Sequence, residues 1–202
     1  MRSIPRLKIC CISSIEEAQI AIRGGAAAVG LVSDMPSGPG VISEPLIAEI
    51  ARTIPPGIAS FLLTSQQQVG EILAQQRRCR TSVIQLCDRL TDGTYDDLRE
   101  ALPGISLVQV IHVTGPEALD EALAAAPQVN GLLLDSGNPT LEVKQLGGTG
   151  RTHNWEISRE IRIRSQVPVF LAGGLNPDNV AEAVRMVEPF GVDVCSGVRT
   201  DG

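Results

Sequence analysis

The sequence predicts an α/β protein built as a closed (β/α)8 barrel, and three observations predict it. Eight short β-rich runs alternate with helical stretches from one end of the 202 residues to the other. Most of these runs are continuously apolar, the pattern of strands covered on both faces. No Gly/Ser/Pro-rich linker and no charge block interrupts the succession, so residues 1–202 read as one domain. A doubly wound open sheet is the structural rival, but eight parallel units in regular order favour closure.

The elements follow in order. Strand Leu7–Cys11 leads to a helix over Glu16–Arg23, with Ser13 or Ser14 placed to cap it. Strand Ala28–Val32 precedes helix Glu44–Arg52, which follows Ser43. Strand Ala59–Leu63 precedes Ser65–Arg77, polar on one side and apolar on the other. Strand Ser82–Leu86 is followed by Tyr95–Leu102, the least marked helical pattern, and strand Leu107–Ile111 by Pro116–Ala126. Strand Gly131–Leu134 opens a long loop before helix Trp155–Arg164. Strand Val169–Ala172, helix Pro177–Val187 and strand Asp193–Cys195 complete the set. Only Gly197–Gly202 follow, so the barrel is expected to lack its final helix.

Composition excludes several functions. Lys+Arg 17 against Asp+Glu 23 gives a net charge of −6, and aromatic residues are 2%, so neither a nucleic-acid surface nor a base-stacking platform is supplied. No run approaches the ~20 apolar residues that cross a bilayer, and Met1–Cys11 lacks a signal-peptide centre. A cytoplasmic protein with no membrane partner is expected, either monomer or homodimer. The five cysteines show no C-x-x-C spacing, which argues against zinc and against a disulfide framework.

In such barrels the chemistry sits where strands end. Cys10 and Cys11 end the first strand, Asp34–Gly40 follow the second, Cys87 and Asp88 follow the fourth, and Asp135 ends the sixth. Cys10 and Asp135 are the acid–base candidates, since a thiolate and a carboxylic acid facing each other can move a proton between adjacent substrate atoms. Strand alternation sends Cys10 and Cys11 to opposite faces, so at most one of them enters the pocket. Gly173-Gly174 before Asn176-Pro177, and Ser196-Gly197 after the eighth strand, form adjacent glycine turns suited to a phosphate. Gly147-Gly148-Thr149-Gly150 lies in the long sixth loop and suggests a lid or a second phosphate-facing turn, with Gly148 as the contact. No Gly-Lys-Ser/Thr ends it, which argues against a nucleoside triphosphate.

At these residues the sequence resembles the phosphoribosylanthranilate isomerases of tryptophan synthesis, which are TIM barrels. Lys8-Ile9-Cys10, Leu133-Leu134-Asp135-Ser136, Gly147-Gly148-Thr149-Gly150 with Trp155, Leu171–Pro177 and Gly191–Val198 resemble five family motifs in the correct order. The resemblance implies an Amadori rearrangement of an aminoaldose phosphate to an aminoketose phosphate. Asp135 would be the acid that opens the ribose ring, and Cys10 the base that removes the C2 proton. The phosphosugar's phosphate would lie on Gly173, Gly174, Ser196 and Gly197. No metal or cofactor is implied.

The sequence departs from the family in four places. The family's second loop usually reads Ser-Pro-Arg, whose Arg anchors the anthranilate carboxylate; here Asp34–Gly40 contain no Arg. Cys11 stands where Gly is usual, Cys87 where His is usual, and His153-Asn154 where Phe-Asp is usual. These changes are expected on the aminoaryl side of the pocket, leaving the phosphate side intact. Three readings follow. The first is the tryptophan-pathway isomerase, with Arg89, Arg151 or Arg199 as the replacement cation. The others are a paralogue acting on a different phosphosugar amine and a non-catalytic phosphosugar-binding barrel.

Overall fold

The computed structural model describes residues 4–148 and 150–199; Thr149 and Gly202 lie outside the described residues. Eight parallel strands close into a barrel in the order of the chain. They are β1 (Arg6–Ile9), β2 (Ala28–Val32), β3 (Ala59–Thr64), β4 (Val83–Leu86), β5 (Ser106–His112), β6 (Gly131–Asp135), β7 (Val169–Leu171) and β8 (Gly191–Val194). Seven α-helices lie outside them: α1 (Ile15–Arg23), α2 (Glu44–Thr53), α3 (Val69–Cys79), α4 (Tyr95–Ala101), α5 (Ala118–Ala125), α6 (Trp155–Arg164) and α7 (Val180–Val187). After β8 the described residues hold one short 3₁₀ turn, Ser196–Val198, and no eighth α-helix. Leu7 and Ile9 of β1 face outward there and stay only half-buried.

The period of two explains why the strands read as unbroken apolar runs. Alternate residues point into the barrel, where Ala28, Val32, Phe61, Leu63, Val108, Val110, Leu133 and Phe170 form one core. Their neighbours Val29, Leu31 and Leu62 face the helices on one side. Ile84, Leu107, Leu132, Leu171 and Val192 do the same on the other. Both faces are therefore dry. Inside this apolar barrel stands one ion pair, Lys8 Nζ to Asp193 Oδ2 at 2.7 Å, between register partners on the first and last strands.

Local signals set most boundaries. Ser14 caps α1 by accepting the N–H of Glu17, and Thr94 with Asp97 forms a capping box that fixes α4. Asn154 caps α6 through the N–H of Glu156 at 2.9 Å. Several boundaries differ from the sequence reading. Cys10 and Cys11 fall beyond β1, where Cys11 takes a left-handed φ of 61°, and Cys195 falls beyond β8, where its ψ of −91° leaves the extended region. Helix α3 begins at Val69, since Gln68 is extended and bridges to Asp92. Helix α5 begins at Ala118, after a turn closed by Ala118 N–H donating to Gly115 O. Helix α7 begins at Val180, because Asn176 Oδ1 accepts the N–H groups of Asp178 and Asn179 and holds a turn before it.

Helix α3 ends on Arg80, exposed and left-handed at φ 57°, its N–H bonded to Gln76 O. An L-residue pays for that conformation and glycine does not. Arg80→Gly is expected to stabilise the fold by about 0.5–1 kcal/mol, offset included for the freer unfolded chain. That corresponds to a Tm rise of about 1–4 °C in thermal unfolding. A lower Tm would mean that the Arg80 side chain stabilises the fold through a contact outweighing its strained backbone.

Candidate active site

A cavity with about 720 Å³ of empty space opens at the C-terminal ends of the strands. Cys10, Asp135, Gly148, Gly173, Gly174 and Ser196 all line it. Gly197 does not. A Cβ there would overlap the Leu175 carbonyl oxygen, so this glycine clamps the eighth turn onto the seventh. Cys11 lines the cavity together with Cys10, contrary to the alternation argument. The left-handed turn at Cys11 releases both thiols from the strand's period and points them inward.

Cys10 and Asp135 enter from β1 and β6. Burial raises the Asp135 carboxyl above its ordinary value, against the Ser136 N–H at 2.8 Å on Oδ1 and the nearby His112. A protonated carboxyl is the form a general acid needs. His112 is held by Nε2 to the Cys87 carbonyl at 3.0 Å. A Cβ at Gly30 would meet Cys10 Sγ at 2.7 Å and Lys8 Nζ at 3.1 Å, so thiol and ammonium converge on that glycine. Burial alone would push the Lys8 ammonium down, yet the Asp193 carboxylate outweighs it and holds Lys8 above its usual value. Asp193 also lines the cavity, with Oδ1 buried and lacking a partner among the described residues. The sequence reading quoted Asp193 without giving it a role; a carboxylate inside an apolar strand was the signal.

The glycine loop after β6 lies across the mouth. A Cβ at Gly147 would stand 2.9 Å from Asp135 Oδ2, one at Gly148 2.5 Å from Pro39 Cδ, and one at Gly174 2.6 Å from the Arg151 carbonyl carbon. Ser37 Oγ adds a bond to Lys144 O at 2.6 Å. Only glycine permits these approaches, and φ values of 66° at Gly148 and 60° at Gly174 require it independently. The lid reading of the loop thus fits its placement, with Gly148 packed on the second loop.

Beside this loop, the turns after β7 and β8 leave the N–H groups of Gly173, Gly174 and Ser196 without an acceptor among the described residues. His153 stands behind them. A Cβ at Gly173 would lie 3.0 Å from Ser136 Oγ and 3.1 Å from His153 Nδ1.

Residues 7–202 match the family model described as N-(5'phosphoribosyl)anthranilate (PRA) isomerase. The chain belongs to this family. It is 33% identical over 196 residues to N-(5'-phosphoribosyl)anthranilate isomerase of Methanocella arvoryzae, covering 97% of this chain and 90% of that protein. To the Haloferax volcanii enzyme of the same name it is 36% identical over 198 residues, covering 98% and 86%. The crystal structure of phosphoribosyl anthranilate isomerase from Thermotoga maritima superposes with a TM-score of 0.78 at 29% identity, covering 98% of this chain and 90% of that one. A phosphoribosyl anthranilate isomerase in complex with reduced 1-(o-carboxyphenylamino)-1-deoxyribulose 5-phosphate gives 0.75 at 27%, covering 98% and 90%.

The departures from the family pattern fall differently from the sequence expectation. His153 lies against Gly173, on the side assigned to phosphate. Asp34 is exposed and outside the cavity lining, so it does not oppose a bound carboxylate. None of the three arginines offered as a replacement cation lines the cavity. Arg89 pairs with Glu121, Arg199 with Glu17 and the Cys11 carbonyl, and Arg151 with Gln145. A cation joined to the second loop is Lys144, whose carbonyl accepts from Ser37 and whose Nζ is bonded to Asp88 just after β4. The sequence reading weighed only arginines and missed it.

His153 carries a pH consequence. Its Nε2 is 2.7 Å from the buried Ser158 Oγ, and burial lowers its pKa to about 4. The unfolded chain binds the same proton near pH 6.5. Stability therefore falls as pH drops below about 6.5 and levels off below about 4, with about 2 kcal/mol lost by pH 5. Urea unfolding at pH 7.5 and pH 5 should show that loss in the wild type and a smaller one in His153→Gln. Equal losses in both proteins would remove His153 as the cause.

Proposed function

We propose that the chain catalyses the isomerisation of N-(5-phosphoribosyl)anthranilate to the corresponding aminoketose phosphate, with Cys10 as base and Asp135 as acid. The observation that carries this reading is the meeting of Cys10 and Asp135, from β1 and β6, in one cavity closed over by the glycine loop. Asp135, its carboxyl raised by burial, gives its proton to the ribose ring oxygen and the ring opens to a protonated imine. That imine is the electron sink. Cys10 as thiolate removes the C2 proton, and the enolamine tautomerises to the ketone. The Lys8 ammonium stands beneath this thiol, both groups meeting at Gly30. Asp193 Oδ1 offers an acceptor to a sugar hydroxyl. The free N–H groups of Gly173, Gly174 and Ser196 receive the phosphate, and Gly197 keeps their two turns together.

Steady-state turnover of phosphoribosylanthranilate tests the pair. Cys10→Ser and Asp135→Asn should each lower kcat by about 10²–10⁴, the usual worth of a placed acid or base, with KM little changed. Wild-type kcat in either variant would dismiss the assignment.

The second loop bears on the aryl group. Met35, Ser37, Gly38 and Pro39 line the cavity and supply no cation to a carboxylate. A missing charge-assisted hydrogen bond costs about 1.5–3 kcal/mol, at least about tenfold in binding. The proposed substrate is therefore bound at least about tenfold more weakly than by an Arg-bearing relative. Pro39 is the place to restore the charge, because a Cβ at Gly40 would stand 2.5 Å from Cys11 Cβ. Pro39→Arg is expected to raise kcat/KM about tenfold on the carboxylated substrate and not on its analogue lacking the carboxylate. A wild type that already strongly prefers the carboxylated form would show that another residue supplies the charge.

A further inference from the structure

Four of the five cysteines, Cys10, Cys11, Cys87 and Cys195, line the one cavity, and none is in a disulfide. The proposed reaction uses a single thiol. Two of the others stand just beyond the ends of β1 and β8, which are hydrogen-bonded neighbours. Ile9 is the register partner of Val194, and Cys10 N–H donates to Val194 O at 2.8 Å. Continuing that register sets Cys195 level with Cys10, and Cys11 follows by one residue around the same end of the seam. Cys11 turns inward through its φ of 61°, Cys195 leaves the strand at φ −120° and ψ −91°, and the Cys11 thiol lies within hydrogen-bonding reach of the Cys195 sulfur.

We propose that Cys11 and Cys195 form an oxidative modification site, in which a hydroperoxide converts the two thiols to a disulfide that closes part of the active-site mouth. The Cys195 sulfur attacks one peroxide oxygen, the O–O bond breaks, and the other oxygen leaves and takes up a proton. Cys195 is then a sulfenic acid. The Cys11 sulfur attacks it, the S–O bond breaks, and hydroxide departs with the Cys11 proton as water. With hydrogen peroxide the sum is two thiols and one peroxide giving one disulfide and two waters. The oxidant is reduced by the two electrons the sulfurs lose.

The surroundings divide these roles between the two sulfurs. The Cys11 hydrogen bond and then the Arg199 guanidinium hold the Cys195 thiol below its ordinary value, against burial and the Asp193 carboxylate. Attack on a peroxide needs the thiolate, and Cys195 is also only half-buried. Arg199 is anchored there by Glu17 of α1 and by the Cys11 carbonyl. Cys11, whose thiol is pushed up by the neighbouring Cys10 and Cys195 sulfurs and then by burial, serves as the resolving thiol. Burial pushes Cys87 up on the far wall, with Cys10, Lys8 and Asp135 as its charged neighbours. A bond between Cys10 and Cys11 would span Cα atoms only ~3.8 Å apart, below the usual disulfide range. The new bond would lie beside Cys10 and next to Ser196, where the proposed base and phosphate contacts begin.

The test exposes the whole protein to a few equivalents of hydrogen peroxide at neutral pH, quenches it, and maps the peptides by mass spectrometry. The expected result is a loss of two hydrogens and a peptide cross-linked between Cys11 and Cys195. Turnover should be at least tenfold lower and return with dithiothreitol. Cys195→Ser should show neither the cross-link nor the reversible loss, and Cys11→Gly should stop at a sulfenic acid on Cys195 that dimedone traps. A cross-link through Cys10, or oxidation of Cys10 with Cys11 and Cys195 both still reduced, would overturn the proposal. The mapping needs no variant to fold and no turnover, so its outcome stands apart from the assignment of the isomerase reaction.

Discussion

The Lys8–Asp193 ion pair is the interaction on which the rest of this barrel depends. A (β/α)8 sheet closes only if the first strand finds the last in the right register, and here register partners on β1 and β8 carry opposite charges. Lys8 is 0% exposed, so the ammonium has no water and its neighbours must satisfy it. Asp193 does so at 2.7 Å, and the Phe61 ring lies 5.2 Å from the same nitrogen. A slip of β1 by one residue would turn Lys8 into the helix layer and leave both charges uncompensated, at a cost of several kcal/mol per ion. The pair therefore selects a register as well as a closure. It also stands directly under the Cys10 thiol, so the seam and the cavity share one charge.

Above that seam the site is made by two layers with different physics. The lower layer is the strand ends, where Cys10, Asp135 and Asp193 are fixed by the ladder and kept dry by the apolar barrel. Dryness is what raises Asp135 toward its acid form. The upper layer is loop against loop, joined by Ser37 to Lys144 and by Gly148 on Pro39. These contacts are few and peripheral, as befits a cover that has to admit substrate and then exclude water.

What was legible in the sequence follows the same division. The continuous apolar runs located all eight strands because a sheet wet on neither face has no alternative composition. Cys10, Asp135, Gly173, Gly174 and Ser196 were found by their position at strand ends, and the cavity gathers them. Backbone geometry that no periodicity encodes was illegible. The left-handed turn at Cys11 brings in a second thiol that alternation had excluded. The packing of Gly197 on Leu175 is a close approach between loops, so its glycine signals contact where the sequence suggested ligand. Lys144 and His153 escaped because their neighbours, Asp88 and Gly173, are distant in sequence and meet only when the barrel closes.

The residues peculiar to this chain gather at the rim and in the turns, and the reason is mechanical. A strand-end position inside the barrel has side-chain neighbours from several strands, so a change there must be met by compensating changes around the ring. A loop position has few such neighbours, and a change there alters what the pocket admits without unseating the fold. Cys11 and the Arg-free second loop are of this kind, standing above the Lys8–Asp193 seam and outside the ladder. Each alters a charge or a reactive group within the cavity while Cys10 and Asp135 keep their places. What the mouth of this barrel presents to a ligand is thus free to vary while Cys10 and Asp135 stay where they are, because the seam and the strand ladder that position them do not pass through those two departures.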